Sequence, residues 1–127
     1  MSDTSPSTQP ETATIAAELA VIQGYHAHIY FDQSTDEQAQ TLIEQARQRF
    51  EISVGRMHRR PVGPHPCWSC QLSFSPAEFG RFIPWLVLHR AGLVVFVHPL
   101  TGDAMFDHRD AAVWLGEAQP LDLSVLG

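Results

Sequence analysis

The chain has 127 residues, of which 44% are hydrophobic and 17% charged. That is enough apolar material to bury a core, and it excludes a disordered polymer. The formal net charge of −6, from 8 basic and 14 acidic residues, argues against a general binder of nucleic-acid backbones, which needs clustered Lys and Arg. No apolar stretch approaches the roughly 20 residues of a membrane span, and no basic segment followed by an apolar run marks a secretory signal. The chain therefore reads as cytoplasmic.

Residues 1–14 are mostly Ser, Thr, Pro and Gln, and a disordered tail is expected there, with one domain over 15–127. Ile15 to Val21 form either a frayed helical turn or the approach to the first strand. That strand, about 22–31, contains Gly24-Tyr25-His26-Ala27-His28-Ile29-Tyr30-Phe31. Side chains alternate between the two faces of a strand. Tyr25, Ala27, Ile29 and Phe31 then suit a core, while His26, His28 and Tyr30 share the other face. The two imidazoles leave Cα atoms roughly 6.5–7 Å apart, a separation from which both rings can tilt onto one metal.

A turn at Asp32 to Thr35 leads into a capping box, Ser34 with Glu37 or Thr35 with Gln38. Ala39, Leu42, Ile43, Ala46 and Phe50 then recur at helical spacing, predicting a helix over about 36–49. A second strand, about 51–60, carries Ile52, Val54, Arg56 and His58, with Gly55 suggesting a bulge. Its polar end suits a sheet edge. Arg56, Arg59 and Arg60 form a basic group that fits either one small anion or a solvated strand edge. Pro61-Val62-Gly63-Pro64-His65-Pro66 is a stiff loop that holds His65 in place.

The third strand, about 67–74, turns Trp68, Cys70, Leu72 and Phe74 to one face and Ser69, Gln71 and Ser73 to the other. Its Cys67 and Cys70 fall on opposite faces, poor geometry for a disulfide or a shared metal. They read as reduced packing residues, and no further cysteine completes a zinc knuckle. Ser75-Pro76-Ala77-Glu78 predicts a capping box with proline at the first helical position, opening a helix to about His89 that Gly92 stops. Pro84 should kink that helix unless its neighbours compensate. Leu93 to His98 is a nearly continuous apolar run suited to a central strand. After a turn at 99–103, Asp110 to Leu115 suggests one short helix closed by Gly116.

The order β-α-β-β-α-β predicts an α+β, ferredoxin-like sandwich: a four-stranded antiparallel sheet with two helices on one face. Strands one and three are central, and strand four pairs with strand one. His98 then shares the open face with Val94 and Phe96. That apolar surface should be covered by the C-terminal segment, a second subunit or both, and a homodimer is expected. Five of the seven histidines converge in this sketch: His26, His28, His65, His98 and His108. Crowded neutral imidazoles suit Fe, Zn or Cu. His58, on the edge strand, and His89, at a helix end, read as structural.

Three stretches carry a resemblance. They are Tyr25-His26-Ala27-His28-Ile29-Tyr30-Phe31; Gly55-Arg56 followed by Pro61 to Pro66; and Gly92-Leu93 through Val97-His98-Pro99-Leu100-Thr101-Gly102-Asp103 to Asp107-His108, with Trp114-Leu115-Gly116 after it. In their order and spacing, over about residues 24–124, they resemble the DOPA 4,5-dioxygenase family. The resemblance implies a ferredoxin-like fold and extradiol cleavage of a catechol by non-haem Fe(II) and O2. It points to His26, His28, His65, His98 and His108, with Arg56 nearby; His89 is a departure, since the family commonly has Asn there.

Such chemistry usually needs two histidines and a carboxylate on one face of the metal. The metal is assigned to His26, His28 and His98, and proton transfer to His65 and His108. Asp103 or Asp107 is a candidate to supply the carboxylate or orient a ligand. Arg56 and Tyr30 are assigned to substrate, Arg56 because a guanidinium grips a carboxylate with two hydrogen bonds. Two other readings stay open. One is an enzyme using zinc or another divalent metal, such as a hydrolase or isomerase. The other is a non-catalytic dimeric ligand-binding protein.

Overall fold

Alternation along one strand governs the architecture. The computed structural model describes residues 14–126, and the expected tail falls almost wholly outside them. Residues 14–19 are helical and exposed. The strands are β1 (Gly24–Phe31), β2 (Ile52–His58), β3 (Trp68–Phe74), β4 (Val95–Leu100) and β5 (Val113–Leu115). The helices are α1 (Asp36–Arg49), α2 (Pro76–His89) and the short α3 (Ala104–Arg109). The strands form one antiparallel sheet in the order β2-β3-β1-β4-β5.

Ala27, Ile29 and Phe31 of β1, Cys70, Leu72 and Phe74 of β3, and Val95 and Val97 of β4 form one buried core with Ala39, Leu42, Ile43 and Ala46 of α1 and Phe82, Ile83 and Leu86 of α2. These are the faces that alternation and helical spacing assign inward. The predicted β-α-β-β-α-β arrangement is present, with β1 between β3 and β4.

The sheet has five strands, one more than expected. The short helix lies earlier than 110–115. It begins at Ala104, where the Asp103 carboxylate accepts a hydrogen bond from Phe106 N (3.1 Å). Val113, Trp114 and Leu115 are instead extended and pair with Val97, Phe96 and Val95. Aromatic and β-branched residues suit a strand, and this pairing satisfies the second edge of β4.

The predicted capping boxes are also replaced. Asp32 caps the single 3-10 turn Gln33–Thr35 in a box closed by Thr35, and α1 follows without a side-chain cap of its own. Ser75 makes no side-chain cap to α2. Glu78 turns away to accept from Glu51 N (2.7 Å) and to pair with Arg81 (3.2 Å). Helix α2 runs unbroken through Pro84. Proline removes a bond to the carbonyl four residues back, here that of Gly80. Both residues lie on the exposed side of the helix, where water can satisfy that oxygen.

The bulge at Gly55 is real, and it matters for Arg56. The β2–β3 register shifts between Val54 and Met57. Both Val54 and Met57 pack on the core, so two residues, Gly55 and Arg56, oppose Gln71 on the other side. Strict alternation would have placed Arg56 with Val54, facing inward.

The open face is covered from within the chain. Trp114 stacks on Phe96 with ring centroids 4.5 Å apart, and Phe96 is fully buried. Asp122 N donates to Pro64 O (2.9 Å), joining the C-terminal segment to the proline loop. The apolar surface that suggested a second subunit is thus already covered in one protomer. Replacing Trp114 with Ala should cost about 2–3 kcal/mol in urea unfolding, from lost stacking and burial at a partly exposed position. An unchanged midpoint would mean that the C-terminal segment contributes nothing to the cover.

Candidate metal centre

The centre begins with a register. Antiparallel pairing sets His26 of β1 directly opposite His98 of β4, and His28 opposite Phe96. Directly opposed residues bring their side chains together on one face. His28 lies two residues from His26 on the same face. The result is a group in which His26, His28 and His98 each offer a ligand atom, all within 4.8 Å of one another. His28 Nε2 and His98 Nε2 stand 3.1 Å apart. Two ligand nitrogens about 2.1 Å from one ion and at right angles are about 3.0 Å apart, so this pair suits a shared metal.

Hydrogen bonds settle which nitrogen His98 presents. Its Nδ1 lies 2.9 Å from the carbonyl oxygen of Pro99, which can only accept. Nδ1 therefore carries the hydrogen and Nε2 is bare, ready for a metal. His26 Nε2 is 3.4 Å from the Gln71 amide nitrogen, which also reaches Ser73 Oγ (3.3 Å).

Burial keeps these rings neutral. It is the main cause that lowers His26, helped by His108, and that holds His28 well below the ordinary imidazole value, helped by His65, His98, His26 and His108. His98 is pushed down to about 4 by burial, with the Pro99 carbonyl and Asp107 opposing the shift. A neutral imidazole is the form that binds metal, so no proton need be expelled at neutral pH. Three neutral, convergent nitrogen donors fit a first-row divalent ion.

Two further histidines flank the group. His65 descends from the proline loop, with its ring 4.2 Å from that of His28, and its Nδ1 is 2.7 Å from the Tyr30 hydroxyl. Burial, then His108 and His58, lower it to about 4. His108 stands on α3 with its ring 4.0 Å from that of His98, and its Nδ1 donates to Ala104 O (2.8 Å). Phe96 lies beneath, 5.6 Å from the His28 ring.

The structure thus brings together His26, His28, His65, His98 and His108. It treats the other candidates differently. Tyr30 is buried, with its hydroxyl bonded to His65, and burial pushes its ionisation well upward. Arg56 is exposed and its side chain makes no hydrogen bond or ion pair among the described residues; Arg59, nearby, is tied to Asp36 at 2.7 Å. Neither carboxylate candidate joins the three imidazoles. Asp103 caps α3, and buried Asp107 accepts from Thr101 N (2.9 Å) and Thr101 Oγ1 (2.6 Å), holding the turn. Cys67 and Cys70 are free thiols, Cys70 within the core.

Sequence reasoning passed over Gln71 and His58. Gln71 lies opposite His28 and touches His26. His58, opposite Ser69 on the open face, lies close enough to His65 to disfavour its charge. The signal for Gln71 was the alternation of β3, whereas His58 reaches this face only through the register shift between Val54 and Met57. His89 lies apart, stacked on Trp85 at 4.9 Å.

Comparison with known proteins places these features in a wider group. Residues 25–125 match the model of the Dopa 4,5-dioxygenase family. An uncharacterised 21.2 kDa protein of Botryotinia fuckeliana is 40% identical over 128 aligned positions, covering 91% of this chain and 70% of that protein. A DOPA 4,5-dioxygenase of Amanita muscaria is 31% identical over 134 positions, covering 98% of this chain but only 59% of that protein. A crystal structure of a proposed dioxygenase from Nostoc punctiforme superimposes with a TM-score of 0.84 at 42% identity, covering 85% of this chain and 94% of that one.

Two outcomes follow from this geometry. Elemental analysis of untagged protein should find one first-row metal per chain, and His26→Ala with His28→Ala should abolish it; retained stoichiometric metal would move the site elsewhere. The metal-free protein should also weaken in acid. With His65 and His98 folded-state values near 4 against about 6.5 unfolded, the unfolded chain binds more protons throughout that window. Stability is therefore full above about pH 6.5 and falls as pH drops towards about 4. Urea unfolding across that range checks the slope, and a flat profile would contradict the burial argument.

Proposed function

Because this chain belongs to the DOPA 4,5-dioxygenase family, we propose that it is a non-haem Fe(II)-dependent extradiol dioxygenase that opens the ring of a catechol, such as DOPA, with O2. The observation that carries the reading is the convergence of His26, His28 and His98 on one face of the sheet. These three would hold Fe(II), which when bound would bring the catechol oxygens and O2 together. Cleavage beside the diol places both atoms of O2 in a ring-opened semialdehyde and needs no outside reductant.

The remaining roles fall to the protein's own groups. His65 and His108 flank the three imidazoles on opposite sides, His65 against His28 and His108 against His98. Both would exchange protons with a diol lying over the centre. Phe96 packs beside His28 and Trp114 stacks on Phe96, and His28, His65 and His98 are buried. Arg56, on its bulge beside Gln71, is the group for a substrate carboxylate. Among the described residues its guanidinium has no hydrogen-bond or ion-pair partner, which leaves it available.

The all-imidazole set favours a second reading. Three histidines without a carboxylate are also a zinc arrangement, suited to a hydrolase or isomerase. Oxygen dependence separates the two.

Anaerobic reconstitution with Fe(II), followed by a panel of catechols under air, should give the yellow ring-opened product. Protein with bound Fe(II) that leaves every catechol untouched would overturn the dioxygenase reading. His65→Ala should keep iron and catechol binding but lower turnover about 10²–10⁴-fold, the usual worth of a proton-transfer group. Loss of iron in that variant would make His65 a ligand. Replacing Cys67 and Cys70 together with Ser should leave metal and turnover in place, with some loss of packing stability.

A further inference from the structure

Two of the histidines beside the centre have one nitrogen already committed, and the commitments are opposite in kind. His108 Nδ1 lies 2.8 Å from the Ala104 carbonyl oxygen. A carbonyl has no hydrogen to give, so His108 Nδ1 carries the hydrogen and its Nε2 is a bare acceptor. His65 Nδ1 lies 2.7 Å from the Tyr30 hydroxyl. That bond can run either way, because a phenol both donates and accepts.

The surroundings of Tyr30 decide the direction. Tyr30 is 3% exposed and His65 8%, and among the described residues the hydroxyl has no other hydrogen-bond partner. If His65 donated, the buried phenol proton would be left without an acceptor, an arrangement folded proteins rarely tolerate. If Tyr30 donates, its proton is satisfied and His65 Nδ1 is filled as an acceptor; the hydrogen of the imidazole then sits on Nε2, where it has no acceptor among the described residues and is left for a ligand oxygen. The backbone reinforces the pairing. Tyr30 is held in β1 by its partner Ser69 across the sheet, and His65 is held by its own N–H to Val62 O (3.1 Å) within the proline loop.

We infer that Tyr30 is a positioning residue, whose hydroxyl locks His65 in the Nε2–H form, so that His65 is the hydrogen-bond donor of the site while His108, locked the other way by Ala104, is the acceptor. The division of labour rests on the dioxygenase reading for its purpose: His65 would stabilise a negatively charged oxygen of an ionised diol, and His108 would take the proton that the diol releases. A neutral imidazole N–H is well suited to polarise or stabilise an oxygen without first being charged. The ligand class that fits is therefore a diol able to lose a proton, and a methylated catechol, which has lost one of those hydroxyls, fits poorly.

The protonated nitrogen of each ring can be read directly, with no turnover required. A long-range proton–nitrogen correlation spectrum of the metal-free, isotope-labelled protein at neutral pH should show His65 carrying its hydrogen on Nε2 and His108 on Nδ1. His65→Gln and His108→Gln assign the two signals by their loss. In Tyr30→Phe the His65 pattern should change to the other form or to a mixture, while His108 keeps its own. In the iron-loaded enzyme, Tyr30→Phe should lower kcat by about tenfold or more, as expected for a lost orienting hydrogen bond, with KM and iron content unchanged. His65 protonated on Nδ1 in the wild type overturns the inference, as does a His65 pattern unmoved in folded Tyr30→Phe. If Tyr30→Phe does not fold, the wild-type spectrum alone decides. A protein inactive on every catechol but with the expected spectrum would defeat the dioxygenase reading and leave the positioning role intact.

Discussion

The pairing of β1 with β4 is the constraint on which the site depends. Its register sets His26 against His98, and that register is not free to slip. Ala27, Ile29, Val95 and Val97 are all fully buried on the core side. Moving either strand by one residue would carry imidazoles into the hydrocarbon core and apolar side chains out of it. The apolar packing beneath the sheet therefore holds the three convergent histidines above it in place. Stability and function are separated by the thickness of one strand, yet one interaction pattern serves both.

Burial of the histidine face has a second consequence. Covered imidazoles favour the neutral state, and covered polar atoms need partners. Both demands are met locally. The carbonyls of Pro99 and Ala104 each take one hydrogen from His98 and His108, and the Tyr30 hydroxyl occupies one nitrogen of His65. Each partner engages one nitrogen of its ring and not the other. The same bonds that satisfy polar groups therefore make chemically identical rings unequal.

The cover itself is assembled from parts distant in sequence. The proline loop brings His65, and the segment after β4 brings His108 and Trp114. The backbone contact from Asp122 to Pro64 closes the two over Phe96. Proline stiffness in the loop limits the freedom lost on ordering His65. Short α3, capped by Asp103 and braced through Asp107 and Thr101, does the same for His108. Acidic residues that looked like candidate ligands are thus spent on holding a turn.

The sequence by itself determined the sheet, its two large helices and the histidine face. Those features are written in short-range periodicity: the alternation Tyr25 to Phe31, the helical spacing of Ala39 to Ala46, the apolar run into His98. Topology then followed, because few arrangements connect such elements compactly. What the tertiary structure decided depended on contacts between distant residues. Val113 to Leu115 became a strand because the edge of β4 was open to it, whereas local pattern allowed a helix. Arg56 turned outward because a bulge against Gln71 broke alternation. The Tyr30 hydroxyl met His65, and the Asp107 carboxylate met Thr101, because hydrogen bonding depends on which atoms arrive within about 3 Å. Chain order carries no record of that distance, so residue types could nominate the histidines, but only the packed fold could say which nitrogen each one offers.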